Sequence, residues 1–524
     1  MNWFKQLFSK IQQPSEIELK HWASCEWIEY QAWVFQHSFL SWYDWQQQHK
    51  IASKWCGKPL ISIVTPVYNT DVEQLTACIR SVQAQTYMNW QWCLVDDGSS
   101  SAETLACLEE LKNQKDKRIL IQHLLENQGI CIATNHAIDL AEGDYIAFLD
   151  HDDRLAPDAL FHVAQQIQTT PQVDVIYTDR DMLSLQDKRF MHLLKPCWSP
   201  ETLLSGNYLF HLMVYKKTLL NDLGGLRPEY EGSQDYDLIL RASDKALNVQ
   251  HIPKVLYHWR QHEKSIAGKQ GAKSYTYIAG KRALIDTLKR RGWYGHVTEN
   301  PSLWRGNYCL QLDNVGRSYQ VIQLEHLDHY AQQINQAFET TQADYLVFVT
   351  MPHSDLSIEQ LVNWLQIDKV GMVTGKIVDT ETRLLHAGMV QRFKLSPLLV
   401  YAGFPETTAG YMAVTTMVRN VSAPHPACYA LKRTCWEQLG GLNSEYQTVY
   451  GLVDFALRAL QQNYRTVYNP YARFEVLDWW EIWENEEIQL FSQQWQTWLE
   501  AGDPHYHPAL TLSLLDMGLK FGDN

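Results

Sequence analysis

Three apolar runs near the start of the chain each stop on polar residues: LISIVTPVYN (60–69), QWCLVDDGSS (91–100) and YIAFLDHDD (145–153). Their length and β-branched content suit buried strands, and TACIRSVQAQ (76–85) between the first two carries helical spacing. Strands that alternate with helices imply a mostly parallel sheet, because each helix returns the chain to the same end. Ligands in such sheets bind beyond the carboxyl ends of the strands. Here those ends carry Asp96 and Asp97, then Asp150, Asp152 and Asp153.

The chain also repeats itself. NHAIDLAEGDYIAFLDHDD (135–153) aligns without a gap on NQAFETTQADYLVFVTMPH (335–353), an offset of 200. Further on, KKTLLNDLGGLRPEY (216–230) aligns on KRTCWEQLGGLNSEY (432–446), and Arg241 falls on Arg458 at an offset of 217. The second half reads as a copy of the back part of the first, with no evident counterpart of VTPVYN or VDDGSS. At these offsets Asp150 falls on Thr350, Asp152 on Pro352, Asp153 on His353 and Asp235 on Leu452, so the copy is expected to keep packing and lose chemistry. Asp355 and His386 could restore a metal site there only by a loop rearrangement. Acceptor binding and pairing into a homo-oligomer are the roles left to it.

Four segments follow. Residues 1–57 form a helical, Trp-rich N-terminal region, 58–298 the first α/β domain, 299–476 the degenerate copy and 477–524 a Trp-rich tail assigned to packing. Trp3, Phe4, Leu7, Phe8 and Ile11 share one helical face. That face packs on the next domain or, with Lys5 and Lys10 beside it, lies on a membrane surface.

The formal charge of −14 and the lack of a basic stripe argue against nucleic acid, though not against a small anion held by a metal ion or helix N-termini. The ten cysteines are scattered without a CxxC pair and read as reduced thiols in a cytoplasm. No apolar stretch reaches the ~18 to 20 residues of a membrane span.

Asp96 and Asp97 end a strand where a carboxylate can accept from a nucleotide ring, although Asp-Asp-Gly-Ser is also ordinary turn chemistry. Asp150, Asp152 and Asp153 crowd three carboxylates into four residues, and they repel unless a cation is shared or their pKa values rise. Oxygen ligands suit Mg²⁺ or Mn²⁺; a solvated acidic loop is the plain alternative. Asp235, ahead of the helical run LILRAS, is a candidate general base or a helix cap. His258 in VLYHWRQH could complete a metal shell, with His262 an equal competitor.

Together these pieces resemble glycosyltransferase family 2, inverting enzymes with the GT-A fold, and especially bacterial members that build surface polysaccharides. The resemblance covers residues 60–270 through VTPVYN, SVQAQTYMNWQWCLVDDGS, GDYIAFLDHDD, VIYTDRDM, KPCWSPETLLSGNY, LGGLRPEYEGSQDYDLILR and VLYHWRQHEKS, in the family's order. It implies a Rossmann-like nucleotide-diphospho-sugar transferase fold. Pro66, Tyr68, Asp96, Asp97 and Asp150 would line the donor nucleotide. Asp150 and Asp152 would hold Mn²⁺ or Mg²⁺, Asp152 more directly, with His258 as a third contact. Asp235 would be the base, and Trp198 and Asn207 would face the acceptor. The ending GDPHYHPAL is similar to that of rhamnosyltransferase-type members.

The partners implied are a UDP- or dTDP-linked sugar and a glycan or lipid-linked glycan, met in the cytoplasm or on the inner face of its membrane. A sugar nucleotidyltransferase is the rival enzyme, but VTPVYNT is not a Gly-rich basic loop. A glycan-binding scaffold is the non-catalytic rival, and the intact acidic motif argues against it.

Overall fold

The structure, a computed structural model, describes residues 28–521 apart from 39, 185, 262–273, 304–305, 326, 477–482 and 484. The aromatic face at residues 3–11, His262, Trp479 and Trp480 lie outside the described residues. Two compact units result: one draws on Ile11–Trp198 and Asn207–Thr287, the other on Ser199–Gly206 and Leu288–Asn524.

In the first unit the strands are β1 (Ile61–Val67), β2 (Trp90–Asp96), β3 (Ile119–His123), β4 (Tyr145–Phe148), β5 (Arg154–Leu155), β6 (Val175–Leu183), β7 (Arg189–Leu193), β8 (Met213–Lys216) and β9 (Val249–Arg260). All seven residues of β1 and of β2 are buried, Ser62, Thr65, Gln91 and Asp96 with the apolar majority. The helix Val72–Gln83 is capped by Asp71, which accepts from the amides of Glu73 and Gln74, and it buries Leu75, Cys78, Ile79 and Val82 at the spacing of one face.

The sheet order is β3-β2-β1-β4-β8-β6-β9-β5, with β7 on β6. β1 runs parallel to β2 and β4, but β8 lies antiparallel between β4 and β6. The sheet is therefore mixed, not mostly parallel. No long apolar crossover helix precedes β8; its neighbour Pro200–Leu203 is a single turn. The fold is GT-A-like. Ahead of it stand a helix at 28–37 and the helix Trp42–Ser53, started by a capping box between Ser41 and Asp44.

In the second unit a hairpin of β10 (Gly295–Glu299) and β11 (Tyr308–Leu312) precedes β12 (Tyr319–Gln323), β13 (Tyr345–Val349), β14 (Val370–Asp379) and β15 (Leu384–His386). A second hairpin, β16 (Met389–Arg392) and β17 (Leu395–Leu399), precedes β18 (Arg419–Val421), β19 (Cys428–Lys432) and β20 (Arg465–Val476). The order β12-β13-β19-β14-β20-β18, with β15 on β14, reproduces β1-β4-β8-β6-β9-β5 with β7 on β6. Parallel and antiparallel pairs coincide throughout, and Tyr345 faces Lys432 as Tyr145 faces Lys216. What has no counterpart is β2 and β3, the edge that carries Asp96 and Asp97.

The tail's described helices, Asn485–Gln494 and Gln496–Ala501, pack through Ile488, Phe491, Trp495 and Leu499 into the core of this unit. The segment Ser199–Gly206 is fixed within the same unit by Glu201, a buried carboxylate that accepts from Arg465 at 2.8 Å and Asn420 at 2.7 Å. All nine described cysteines are free thiols, and no described helix is long and apolar enough to cross a membrane.

Candidate active site

The carboxyl ends of β1 and β2 are tied together by their loops. Pro66 is buried beside Val95, whereas Tyr68 just beyond is 46% exposed. Asn69, with φ of 44°, accepts through Oδ1 from the amides of Ser100 and Ser101, both at 2.8 Å. Gly98 has φ of +68°, and a Cβ there would meet the Glu126 backbone at 2.5 Å, so the turn requires glycine.

Asp96 and Asp97 are both buried and both engaged. Asp97 accepts from the Asn127 side chain and from the amides of Gln128 and Gly129 at 2.8–2.9 Å, which fixes the loop into the helix Ile130–Leu140. Asp96 takes the Ser99 amide at 3.2 Å and sits 3.1 Å from His123 Nδ1. Their carboxylates brace the loops at the carboxyl ends of β2 and β3.

The acidic loop after β4 divides its three carboxylates. Asp153 is 1% exposed; it accepts from the Tyr257 hydroxyl at 2.5 Å and the Arg260 amide at 2.6 Å, and it anchors the loop on β9. Arg260 Nε also donates to the Asp152 carbonyl at 2.8 Å, and His151 Nδ1 lies 2.9 Å from Thr70 Oγ1. Asp150 and Asp152 are thereby left partly exposed. Burial first, then the charges of Asp152 and Asp235, push the Asp150 carboxyl up to about 7.

Asp235 lies in the first turn of the helix Gln234–Ala242, where Asn207 Nδ2 donates to its Oδ2 at 3.0 Å. Burial raises its carboxyl pKa, against backbone and Asn207 hydrogen bonds that lower it. The structure thus brings together Asp150, Asp152, Asp235 and Asn207. Asp237, two residues on, is fully buried against Arg227 and Arg241 and serves packing. Trp198 is half-buried.

His211 stands beside Asp150, whereas His258 lies against Asp181. His211 Nε2 stands 3.9 Å from Asp150 Oδ2, and its ring stacks on Tyr257 at 4.8 Å. Burial, then Arg180 and Lys195, lower its pKa to about 3, so it is a neutral imidazole. Its backbone is held from below: the buried Lys195 Nζ donates to the carbonyls of Leu209 and His211, both at 2.8 Å, and Arg180 Nε to that of Phe210 at 3.2 Å. His258 instead lies 2.6 Å through Nδ1 from the buried Asp181, which also accepts from Tyr30 at 2.6 Å and Arg189 at 2.5 Å. Burial, against the charge and hydrogen bond of Asp181, lowers the pKa of His258. The β6–β9 register sets Asp181 opposite His258. Nothing in the spacing of NYLFHLMVY marked His211.

The sequence model of the family described as Glycosyl transferase family 2 matches residues 62–223. Over 88% of the chain it is 30% identical to the uncharacterized protein y4gI of Sinorhizobium fredii and 28% identical to the O-antigen biosynthesis protein RfbC of Myxococcus xanthus. It spans only 58% and 41% of their lengths. It is 29% identical to the chondroitin synthase of Escherichia coli over 44% of this chain and 33% of that one. Among solved structures, S. aureus TarS 1-349 is 20% identical over 44% of this chain and 65% of that one, with a TM-score of 0.35.

Proposed function

Because residues 62–223 form a glycosyltransferase family 2 domain, we propose that this chain is an inverting glycosyltransferase of cell-surface polysaccharide assembly. It moves a sugar from a UDP- or dTDP-linked donor to a hydroxyl of a glycan or lipid-linked glycan at the inner face of the cytoplasmic membrane. The observation that carries the reading is the nearness of the Asp152 and Asp235 charges to Asp150, with Asn207 hydrogen-bonded to Asp235.

Asp235 takes the proton of the acceptor hydroxyl as that oxygen attacks the anomeric carbon. A carboxyl with a raised pKa is the better base for this step. The bond from the anomeric carbon to the diphosphate oxygen breaks on the opposite face, so the configuration inverts without a glycosyl-enzyme. Asn207 fixes the plane of the Asp235 carboxylate. Asp150 and Asp152 offer the oxygen donors that Mn²⁺ or Mg²⁺ takes, and such an ion, when bound, neutralises the departing nucleoside diphosphate. The second unit, without the β2 and β3 edge and with buried Leu452 at the place of the base, carries no transfer of its own.

The test is nucleotide release from a set of sugar nucleotides, with and without Mn²⁺ and Mg²⁺, on glycan acceptors. Release that requires a divalent ion and disappears in Asp235→Asn supports the reading. Silence with every donor and acceptor rejects it.

A further inference from the structure

We propose that His211 and Asp150 form a nitrogen and oxygen pair that holds the divalent cation, so that the metal shell includes an imidazole from the loop ahead of β8. The inference rests on the transferase reading above and assigns a ligand that the sequence motifs do not contain.

His211 Nε2 and Asp150 Oδ2 are 3.9 Å apart, too far for a hydrogen bond. Two donors each about 2.1 Å from one octahedral ion lie about 3.0 Å apart at a right angle. A rotation of the imidazole that shortens the gap by about 0.9 Å brings the pair to that separation.

A ligand imidazole is oriented by the groups packed around it. The Tyr257 ring lies under the His211 ring at 4.8 Å with 23° between planes, and the same Tyr257 hydroxyl donates to Asp153 and accepts the Asp150 amide at 3.3 Å. One tyrosine thus sets both the imidazole and the carboxylate loop. From the other side Lys195 Nζ clasps the carbonyls of Thr178, Leu209 and His211, and the Arg180 guanidinium stacks over Phe210 at 5.0 Å and Trp259 at 4.7 Å. Two buried cations fastened to a three-residue loop fix its backbone where the ring meets the acidic site.

His258 places Nδ1 on Asp181 in a cluster with Tyr30 and Arg189, whereas His211 turns Nε2 toward Asp150.

The experiment is pulsed electron paramagnetic resonance of Mn²⁺ bound to the full chain with UDP, using protein labelled with ¹⁵N in histidine alone. The label separates protein imidazole from uracil nitrogen. The expected result is a ¹⁵N coupling in the unsubstituted protein that is lost in His211→Gln and kept in His258→Gln and His262→Gln, with Mn²⁺ affinity roughly tenfold or more weaker in His211→Gln. Bound Mn²⁺ with no ¹⁵N coupling in the unsubstituted protein overturns the proposal without recourse to any variant. So does a coupling that survives in His211→Gln, and if it then vanishes in His262→Gln the ligand is His262. Should Mn²⁺ fail to bind at all, the metal part of the proposed function falls and this assignment with it. His211→Asn, a smaller amide, serves where the glutamine variant does not fold.

Discussion

Arg241 Nε donates to Asp237 at 2.9 Å while its two terminal nitrogens donate to the carbonyls of Leu223 and Gly225, both at 2.8 Å. In the second unit Arg458 does the same with Asp454 at 2.9 Å and with the carbonyls of Leu439 and Gly441. Each pair staples its helix to the Leu-Gly-Gly turn before it. The repeat has kept this packing device, whereas Leu452 stands where Asp235 would be.

Asp454→Ala is therefore expected to act on stability. The buried carboxylate also accepts from Gln494 at 2.8 Å and Trp495 Nε1 at 3.0 Å, and its loss strands three donors. Arg458 is partly exposed, so the cost is placed at about 3 kcal/mol, the low end for a broken buried pair. Urea denaturation reads the loss. Transfer per folded molecule should be unchanged, as it should in Asp355→Ala, whose residue is exposed. A stable Asp454→Ala protein that has lost transfer would make the second unit catalytic.

At Asp235 the expectation is opposite. Asp235→Asn should lower kcat by roughly 10² to 10⁴ and leave donor affinity largely intact. Asn207→Ala should give a smaller fall in the same direction, because the base survives but its carboxylate is no longer oriented. Calorimetry with UDP beside steady-state rates separates these outcomes; an equal loss of donor affinity in Asp235→Asn would return that residue to a capping role.

The division of labour at the acidic loop gives a paired test. Asp152→Asn should remove turnover with an unchanged melting temperature. Asp153→Ala should cost about 1 to 3 kcal/mol by leaving the Tyr257 hydroxyl and the Arg260 amide without their acceptor. Thermal melts and nucleotide release on both proteins check this. The assignment fails if Asp153→Ala keeps full stability.

Much of this was legible in the sequence because it depends on local pattern. Mostly apolar runs marked β1, β2 and β4, and the acidic residues after β2 and β4 marked the candidate site. The repeat anticipated a second sheet without the strand that ends in Asp96 and Asp97, but it also expected no counterpart of VTPVYN, whose strand β1 has one in β12. What stayed hidden depends on long-range placement. Asp97 and Asp153 look like Asp152 in sequence, and only the amides of Gln128, Gly129 and Arg260 mark them as anchors. His211 reaches the site through Lys195 and Arg180, cations whose partners are carbonyls and carry no sequence signal. The antiparallel β8 escaped for a related reason, since periodicity reports burial and not strand direction.

Acid should weaken the second unit through a buried histidine pair. His386 and His425 are both fully buried, their rings 4.6 Å apart, and neither ring nitrogen of His386 meets a hydrogen-bond partner among the described residues. Burial lowers His425 to about 3, and burial with His425 and Arg419 nearby lowers His386 well below its ordinary value. The unfolded chain, with histidine pKa near 6.5, binds more protons than the folded one between that value and the depressed folded values. Stability is therefore complete above pH 6.5 and is lost as pH falls, by up to about 1.4 kcal/mol per histidine for each unit. His211, lowered to about 3, and His505, lowered to about 4, contribute in the same sense, so the pair supplies part of the slope. The measurement is the urea midpoint at pH 7.5, 6.5, 5.5 and 4.5 for the unsubstituted chain and for the double variant His386→Gln with His425→Gln. The variant should start less stable at pH 7.5 and fall less steeply below 6.5. Parallel curves would show that these two histidines are protonated as easily folded as unfolded.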